Sequence, residues 1–266
     1  MIIFFSGTGN TRLCANTLSQ LTGDKAIELT AEVLLNPQNS KLEIAGRNDR
    51  IIWMFPVYSW GIPPMVRRVI ENIHIDRADK ARHYMVCTCG DDCGLTDSEF
   101  TKIITRRQWA TNRQSCYSVT MPNTYVFMKG FDVDHEAVVR LKLQQAPHRL
   151  RQIAADIDSP QPQGPFTHHG SFAWPKSHII RPWFKRFAMS PRPFHATEAC
   201  KGCGACTKIC PLGNITMTNT PGSTPRPQWH ETCTLCTRCY HSCPRNAVAY
   251  GKTTRHKGQY KGPHPR

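Results

Sequence analysis

The chain opens with Met1-Ile2-Ile3-Phe4-Phe5-Ser6-Gly7-Thr8-Gly9-Asn10-Thr11, an apolar run followed at once by small polar residues. The run Ile2–Phe5 has the length and composition of a buried strand. A helical pattern begins at Arg12 and Leu13, directly after the polar loop. Hydroxyls and free backbone amides at a helix N-terminus form an anion-binding site. The stretch therefore predicts a strand, an anion-binding loop and a helix, in that order.

The same alternation of strand and helix continues through residues 1–158. Further strands are predicted at Ala26–Leu29, Ile51–Phe55, Tyr84–Cys87 and Ser115–Met121. Helices are predicted at Thr11–Leu21, Pro64–Asn72, Leu95–Ala110 and Asp134–Ile157. Alternation of this kind favours an α/β fold, a doubly wound parallel sheet of five strands with helices on both faces.

The loop from Ser6 to Thr11 lacks the features of the common nucleotide-binding loops. A Walker loop needs a Lys before its Ser or Thr, and a dinucleotide fingerprint needs a third Gly. Neither is present. What remains is a hydroxyl-rich cradle for a monophosphate, with a plain βα turn as the alternative.

Two more loops are predicted at the same edge of the sheet. They contain Pro56-Val57-Tyr58-Ser59-Trp60-Gly61 and Thr88-Cys89-Gly90-Asp91. In doubly wound sheets, ligands bind where such loops emerge. Together the three loops resemble those of flavodoxins, which implies that they bind FMN. The resemblance implies that Tyr58 or Trp60 stacks on the flavin ring and that amides of residues 89–91 reach its polar edge.

The resemblance departs from the flavodoxin pattern in two respects. Flavodoxins are usually acidic, whereas this chain carries a formal net charge of +15. The third loop, Thr88–Gly94, also has no aromatic residue. Tyr125 is the candidate to cover the second face of the ring.

Residues 159–195 differ in composition from the first half. They contain seven prolines, five Lys or Arg and no acidic residue, with aromatic residues interspersed. This composition predicts a basic, aromatic linker without long helices that packs against a domain. Pro175 and Pro182 argue against a continuous amphipathic helix, and so against a membrane-surface role.

Residues 196–251 contain an internal repeat of four cysteines followed by proline. The two runs are Cys200-x₂-Cys203-x₂-Cys206-x₃-Cys210-Pro211 and Cys233-x₂-Cys236-x₂-Cys239-x₃-Cys243-Pro244. This spacing is that of bacterial ferredoxins with two [4Fe–4S] clusters, which the segment resembles over about 50 residues. The resemblance implies that the fourth cysteine of each run ligates the other cluster. One cluster then takes Cys200, Cys203, Cys206 and Cys243, and the second takes Cys233, Cys236, Cys239 and Cys210. Zinc is the competing metal, but paired C-x-x-C sites do not need the third and fourth cysteines.

Cys87, Cys89 and Cys93 are the candidates for a further metal site, but their position in the predicted flavin loop explains them without a metal.

The first residues lack the basic start of a secretory signal, and the cysteine spacing is of metal type, so we expect a cytoplasmic protein. Because oxygen damages exposed clusters, an anaerobic or well-reduced environment is expected. The basic tail at residues 252–266 is predicted to be disordered.

The whole chain resembles fusions of an N-terminal flavodoxin-like domain with a C-terminal ferredoxin domain. This implies FMN at residues 1–158, two clusters at residues 196–251, and electron transfer between them and a redox partner, with the basic surface favouring an acidic protein. A flavin-dependent reductase of a small substrate, with a pocket built from Tyr125 to Phe131 and the linker, is the alternative. Nucleic-acid binding is disfavoured because no groove-reading motif is present. No acid–base pair or nucleophile stands out, so an electron carrier is favoured over an enzyme.

Overall fold

The computed structural model describes residues 1–43, 50–109, 115–160, 164, 166–218 and 221–263. Its main sheet has five parallel strands: β1 (Ile2–Phe4), β2 (Ala26–Glu28), β4 (Arg50–Pro56), β6 (Arg82–Cys89) and β7 (Ser115–Thr120). The strand order is β2-β1-β4-β6-β7, the doubly wound order of flavodoxin-like folds. The predicted fold class is therefore confirmed. Two short strands, β3 (Lys41–Leu42) and β5 (His74–Ile75), pair separately.

Helices cover both faces of the sheet. They are α1 (Asn10–Thr22), α2 (Ala31–Leu35), α3 (Pro64–Asn72), α4 (Thr96–Arg106) and α5 (Glu136–Asp158). Leu18 of α1 and Leu150 of α5 belong to one buried core, whereas Val69 of α3 and Phe100 of α4 belong to the other. The third predicted helix, Leu95–Ala110, corresponds to α4, which ends at Arg106, and Ala110 lies outside the described residues.

The structure begins α5 two residues after the predicted start at Asp134. The Asp134 carboxylate instead accepts hydrogen bonds from the Asn123 amide and the Lys142 ammonium, both 2.7–2.9 Å away. Its side chain therefore holds the loop after β7 and does not cap the helix.

The C-terminal segment forms two antiparallel strand pairs and two short helices. β8 (Phe194–Ala196) pairs with β11 (Val248–Tyr250), and β9 (Ile215–Thr218) pairs with β10 (Arg226–Trp229). The helices are α8 (Ala205–Ile209) and α9 (Arg238–His241). Val126 and Phe127, from the loop after β7, complete the apolar core of this segment. Phe127 stacks on Tyr250 at 4.6 Å between ring centroids, so the two halves of the chain share a core.

The linker contains a helical stretch, which corrects the prediction of a linker without long helices. α6 (Ala173–Pro175), a π-helical turn (Lys176–Ile180) and α7 (Arg181–Phe187) follow one another without a break. Pro175 is tolerated because it lies in the first turn, where backbone N–H groups have no intrahelical partner. A π turn, which alters the hydrogen-bond ladder, precedes Pro182.

The described part of the tail is packed, unlike the disordered tail that composition predicts. Tyr260 is 6% exposed and its hydroxyl donates to Asn10 Oδ1 at 2.7 Å. The Gln259 side-chain amide donates to the Tyr240 carbonyl at 2.6 Å. The last three residues of the predicted tail, 264–266, lie outside the described residues. In the part of the chain that the structure describes, no helix has the length and apolar character needed to cross a membrane.

Candidate functional site

A cavity of about 510 Å³ lies at the carboxyl edge of the sheet, where the three predicted loops meet. Its size is typical of ligand and cofactor sites. The predicted cofactor residues that line it are Ser6, Gly7, Thr8, Asn10, Thr11, Pro56, Val57, Tyr58, Ser59, Trp60, Cys89, Gly90 and Asp91. Two predicted residues lie elsewhere. Gly9 lines a neighbouring groove, and Gly61 is buried against the Arg181 guanidinium.

The loop between β1 and α1 is built to receive an anion. Ser6 Oγ accepts hydrogen bonds from the amides of Gly9 and Arg12, both at 3.2 Å, which fixes the turn. Gly9 has a φ of 102°, a left-handed conformation that favours glycine. The 13-residue helix α1 then begins at Asn10 with no acidic residue in its first turn. Its first amides have no intrahelical acceptor and form the positive end of the helix dipole.

Aromatic side chains enclose the other part of the cavity. Trp60 enters from the second loop, and Tyr125 packs edge-on against Phe131 and Phe184 at 5.7 and 5.9 Å. Trp183 of α7 completes this wall. Tyr125 thus lies at the site for which the sequence nominated it, joined by linker residues that come close only in the folded chain.

The second loop is held in an unusual conformation. Ser59 and Trp60 both have positive φ, 48° and 57°. Non-glycine residues in this region store strain, which concentrates at functional sites. The Lys176 ammonium lies 5.5 Å from the Trp60 ring centroid and also pairs with Asp92 at 2.6 Å. The linker helix therefore closes the cavity over the loop.

Two buried polar atoms of cavity-lining residues have no hydrogen-bond partner among the described residues: Tyr58 Oη and Asp92 Oδ1. Burial, with a smaller contribution from the nearby Cys236, raises the pKa of Tyr58 well above its usual value, so its hydroxyl stays protonated. Leaving such groups unsatisfied costs roughly 1–3 kcal/mol each. Unpaired polar atoms beside an aromatic cavity and a helix N-terminus fit a bound ligand with an anionic end and a flat polar ring.

The C-terminal segment also contributes to this cavity, which the sequence did not predict. Thr234, Leu235, Cys236 and Thr237, from the second cysteine run, line it. A Cβ on Gly7 would lie 3.0 Å from the Cys236 carbonyl and 2.9 Å from Tyr58 Oη. Only glycine at this position allows the two loops to approach so closely.

The eight predicted cysteine ligands line two further small cavities, four around each. Cys200, Cys203, Cys206 and Cys243 line one, and Cys210, Cys233, Cys236 and Cys239 line the other. Each set contains three cysteines of one run and the fourth of the other run. The cysteines are therefore grouped in the two sets that the ferredoxin resemblance implies, and the ligation of one cluster by each set stays a prediction.

Backbone amides point at the sulfurs of these cysteines. Amides of Asn214, Leu235 and Ala247 donate to the sulfurs of Cys210, Cys233 and Cys243 at 3.3, 3.4 and 3.2 Å. Burial raises the pKa of Cys233 to about 12 and that of Cys236 to about 11. Buried cysteines with such values are thiolates only when a metal takes the place of the proton. Four thiolates with amide donors are the donor set of an iron–sulfur cluster.

Arg238 connects the second cysteine run to the anion loop. Its guanidinium donates to the carbonyls of Gly7, Ser6 and Ile209 at 2.5, 2.6 and 3.2 Å. It also lies 3.8 Å from Glu28, which pairs with Arg12. This side chain joins the two halves of the molecule at the point where their sites meet.

The cysteines outside the repeat are buried. Cys87, Cys89, Cys93 and Cys116 lie in the sheet core around the third loop, and Cys14 lies in α1. Within the described ranges, no group of three or more His, Cys, Asp or Glu side chains is arranged to hold a single metal ion.

Comparison with known proteins identifies the C-terminal segment. Residues 199–248 match the 4Fe-4S dicluster domain family. No curated protein matches the chain. Among solved structures, the Trp repressor binding protein from Bacillus subtilis is 14% identical, with a TM-score of 0.33, and the match covers 57% of this chain and 96% of that one. A flavodiiron core from Synechocystis is 11% identical, with a TM-score of 0.31, and covers 59% of this chain and 36% of that one. The segment that contains the cysteine repeat is accordingly similar to iron–sulfur dicluster domains.

Proposed function

We propose that this protein is an electron-transfer flavo-iron–sulfur protein that relays electrons between FMN, two [4Fe–4S] clusters and a redox partner. The observation that carries the proposal is the position of Cys236, which lines both the large cavity and one four-cysteine cavity. Flavins exchange electrons in pairs or singly, and each cluster exchanges one. Two sites that share a wall allow that exchange within one chain.

Each cluster has its own ligand set in this proposal. The cluster at Cys210, Cys233, Cys236 and Cys239 is the one next to the large cavity. The cluster at Cys200, Cys203, Cys206 and Cys243 lies on the other side of the repeat. Cys203 is the exposed member of this outer set. Electrons therefore pass from the buried cavity through the inner cluster to the outer one, or in the reverse direction.

The chain's own residues hold FMN in defined ways. The first amides of α1 and the hydroxyls of Thr8 and Thr11 bind the phosphate. Trp60 and the wall of Tyr125, Phe184 and Trp183 enclose the ring and exclude water. Bound FMN supplies two-electron redox chemistry, which the clusters divide into single steps.

Analysis of iron, sulfide and flavin after anaerobic purification tests the proposal. We expect about eight irons and one FMN for each chain. Zinc in place of iron would contradict the cluster half. Absence of flavin, together with failure to bind added FMN, would contradict the flavin half.

The size of the cavity favours a second candidate function, reduction of a small substrate. Its wall includes Met128, Phe131 and Met189, beyond the loops that hold the cofactor. A flat substrate could lie there against the ring. Protein reduced through the clusters would then turn over small acceptors, whereas turnover with protein acceptors alone would favour the carrier.

The proposed partner is an acidic redox protein, because the net charge of +15 on this chain attracts a partner with an acidic surface.

A further inference from the structure

The linker helix exposes a large apolar surface. Six of its large hydrophobic side chains are exposed: Phe172 (77%), Trp174 (60%), Ile179 (59%), Ile180 (44%), Trp183 (56%) and Phe187 (64%). Elsewhere the described residues expose only five large hydrophobic side chains, scattered over residues 21–166. Clusters of this kind on a protein surface mark an interaction site.

The apolar side chains are arranged along one side of the helix. Ile179, Ile180, Trp183 and Phe187 follow one another at helical spacing, and Trp183 contacts Phe187 at 5.8 Å between ring centroids. The opposite side anchors the helix to the sheet domain. There Arg181 pairs with Glu99 at 2.6 Å, and Phe184 is buried. The exposed side is therefore held outward by fixed contacts.

The charged side chains that the linker itself contributes to this surface are all basic. Lys185, Arg186 and Arg192 are exposed, and Arg186 lies 5.2 Å from the Phe187 ring centroid. No Asp or Glu occurs from residue 159 to residue 197. Three acids approach from the sheet domain: Asp92 and Glu99 are mostly buried and paired with Lys176 and Arg181, and Glu71, near Lys185, is paired with Arg67. The surface facing solvent is therefore aromatic and basic.

We propose that this face, Phe172–Arg192, docks the protein on an anionic lipid bilayer. Trp and Phe with neighbouring Lys and Arg are the side chains that enter the headgroup region of a membrane, while acidic lipids attract the basic ones. A transient complex with a redox protein would instead need a smaller and more polar interface than this face provides. The continuous helix removes the objection that Pro175 and Pro182 raised at the level of sequence.

Docking of this face also orients the proposed redox site. Ile180 and Trp183 line the large cavity as well as the exposed face. The cavity wall formed by α7 would then lie against the bilayer surface. The docking proposal itself does not depend on FMN, because it rests on the exposed side chains.

Co-sedimentation of the full-length holoprotein with vesicles tests the proposal. One probe is a vesicle of phosphatidylcholine alone, which is neutral. The other contains about 30% phosphatidylglycerol, which gives the vesicle a substantial negative surface charge. We expect binding to the anionic vesicles, with a blue shift of tryptophan fluorescence from Trp174 and Trp183, and weaker binding to neutral ones. Absence of binding to anionic vesicles overturns the proposal. Binding of an acidic protein by this face without binding to vesicles also overturns it.

Matched variants separate this face from the general basic surface. Lys185→Gln with Arg186→Gln should weaken binding roughly 25-fold, at about fivefold per charge. Ile179→Ser with Phe187→Ser should weaken it at least about tenfold. The controls on other helices are Lys102→Gln with Arg106→Gln and Val138→Ser with Leu141→Ser, all exposed residues. Control variants that lose binding as strongly as the face variants overturn the proposal.

Discussion

The junction between the anion loop and the second cysteine run depends on one side chain, Arg238. It is 16% exposed, and two of its three hydrogen bonds go to the loop carbonyls of Ser6 and Gly7. Arg238→Met keeps the length of the side chain and removes the guanidinium. We expect the anion loop to lose its fixed position relative to the iron–sulfur domain.

The magnitude follows from the two bonds to the loop. Each contributes about 1 kcal/mol net, a conservative value for a charged donor. Together they amount to about 2 kcal/mol, which corresponds to a roughly 30-fold weaker affinity for FMN. The third bond, to Ile209, lies within the iron–sulfur domain and is left out of this figure.

The assay is a titration of flavin-depleted protein with FMN, followed by quenching of flavin fluorescence under anaerobic conditions. Arg12→Met is the matched control. Its guanidinium is also near the loop but bonds to Glu28 at 3.0 and 2.6 Å, within the sheet domain. Both variants lose one positive charge near the phosphate, so they share the loss of charge attraction.

Two results would refute this reasoning. The Arg238→Met protein could bind FMN as tightly as the original chain. Alternatively, Arg12→Met could weaken binding as much as Arg238→Met, in which case charge alone would explain the effect. Iron content must stay the same in all three proteins for the comparison to hold.

Three more predictions concern the clusters and the buried polar groups. Cys210→Ser should lower iron from about eight to about four atoms for each chain, because Cys210 lies in the first run but belongs to the second four-cysteine set, whereas Cys116→Ser should leave iron unchanged. Iron analysis with electron paramagnetic resonance measures this, and full retention of both clusters in Cys210→Ser would show that Cys210 is not a cluster ligand. Tyr58→Phe should weaken FMN binding roughly fivefold, because the buried hydroxyl, which has no partner among the described residues, would no longer supply one hydrogen bond of about 1 kcal/mol to the flavin. Titration of flavin-depleted protein with FMN tests it, and equal affinities in both proteins would contradict the role of the hydroxyl. His83 is buried, accepts a hydrogen bond from the Trp53 indole and donates to the Ala78 carbonyl, and burial lowers its pKa from 6.5 to about 4. The unfolded chain therefore binds the proton first, so stability is greatest above pH 6.5 and falls as the pH drops toward 4, by about 2 kcal/mol between pH 7 and 5. Urea unfolding at the two pH values should show that loss, and His83→Phe should reduce it by that amount. An unchanged pH dependence in the variant would show that His83 is not responsible.

The sequence determined the class of fold through local patterns. The five strands followed from short apolar runs separated by helical periodicity, whereas the order of the strands was not predicted and helix α2 was missed. The linker was the exception, because a composition rich in proline is compatible with helix when each proline lies where its missing N–H does little harm. Pro175 meets that condition in the first helical turn.

The ferredoxin resemblance implied the same two cysteine sets that line the small cavities, and their ligation of the clusters stays a prediction. The three loops at the sheet edge were likewise predictable, since parallel strands direct their carboxyl ends to one side. Tertiary structure alone decided that Cys236 and Arg238 meet Gly7, more than 200 positions away in sequence. It also decided that Phe127 completes the core of the iron–sulfur domain and that α7 closes the cavity. These contacts depend on shape and packing between distant segments, which leave no periodic signal in the chain.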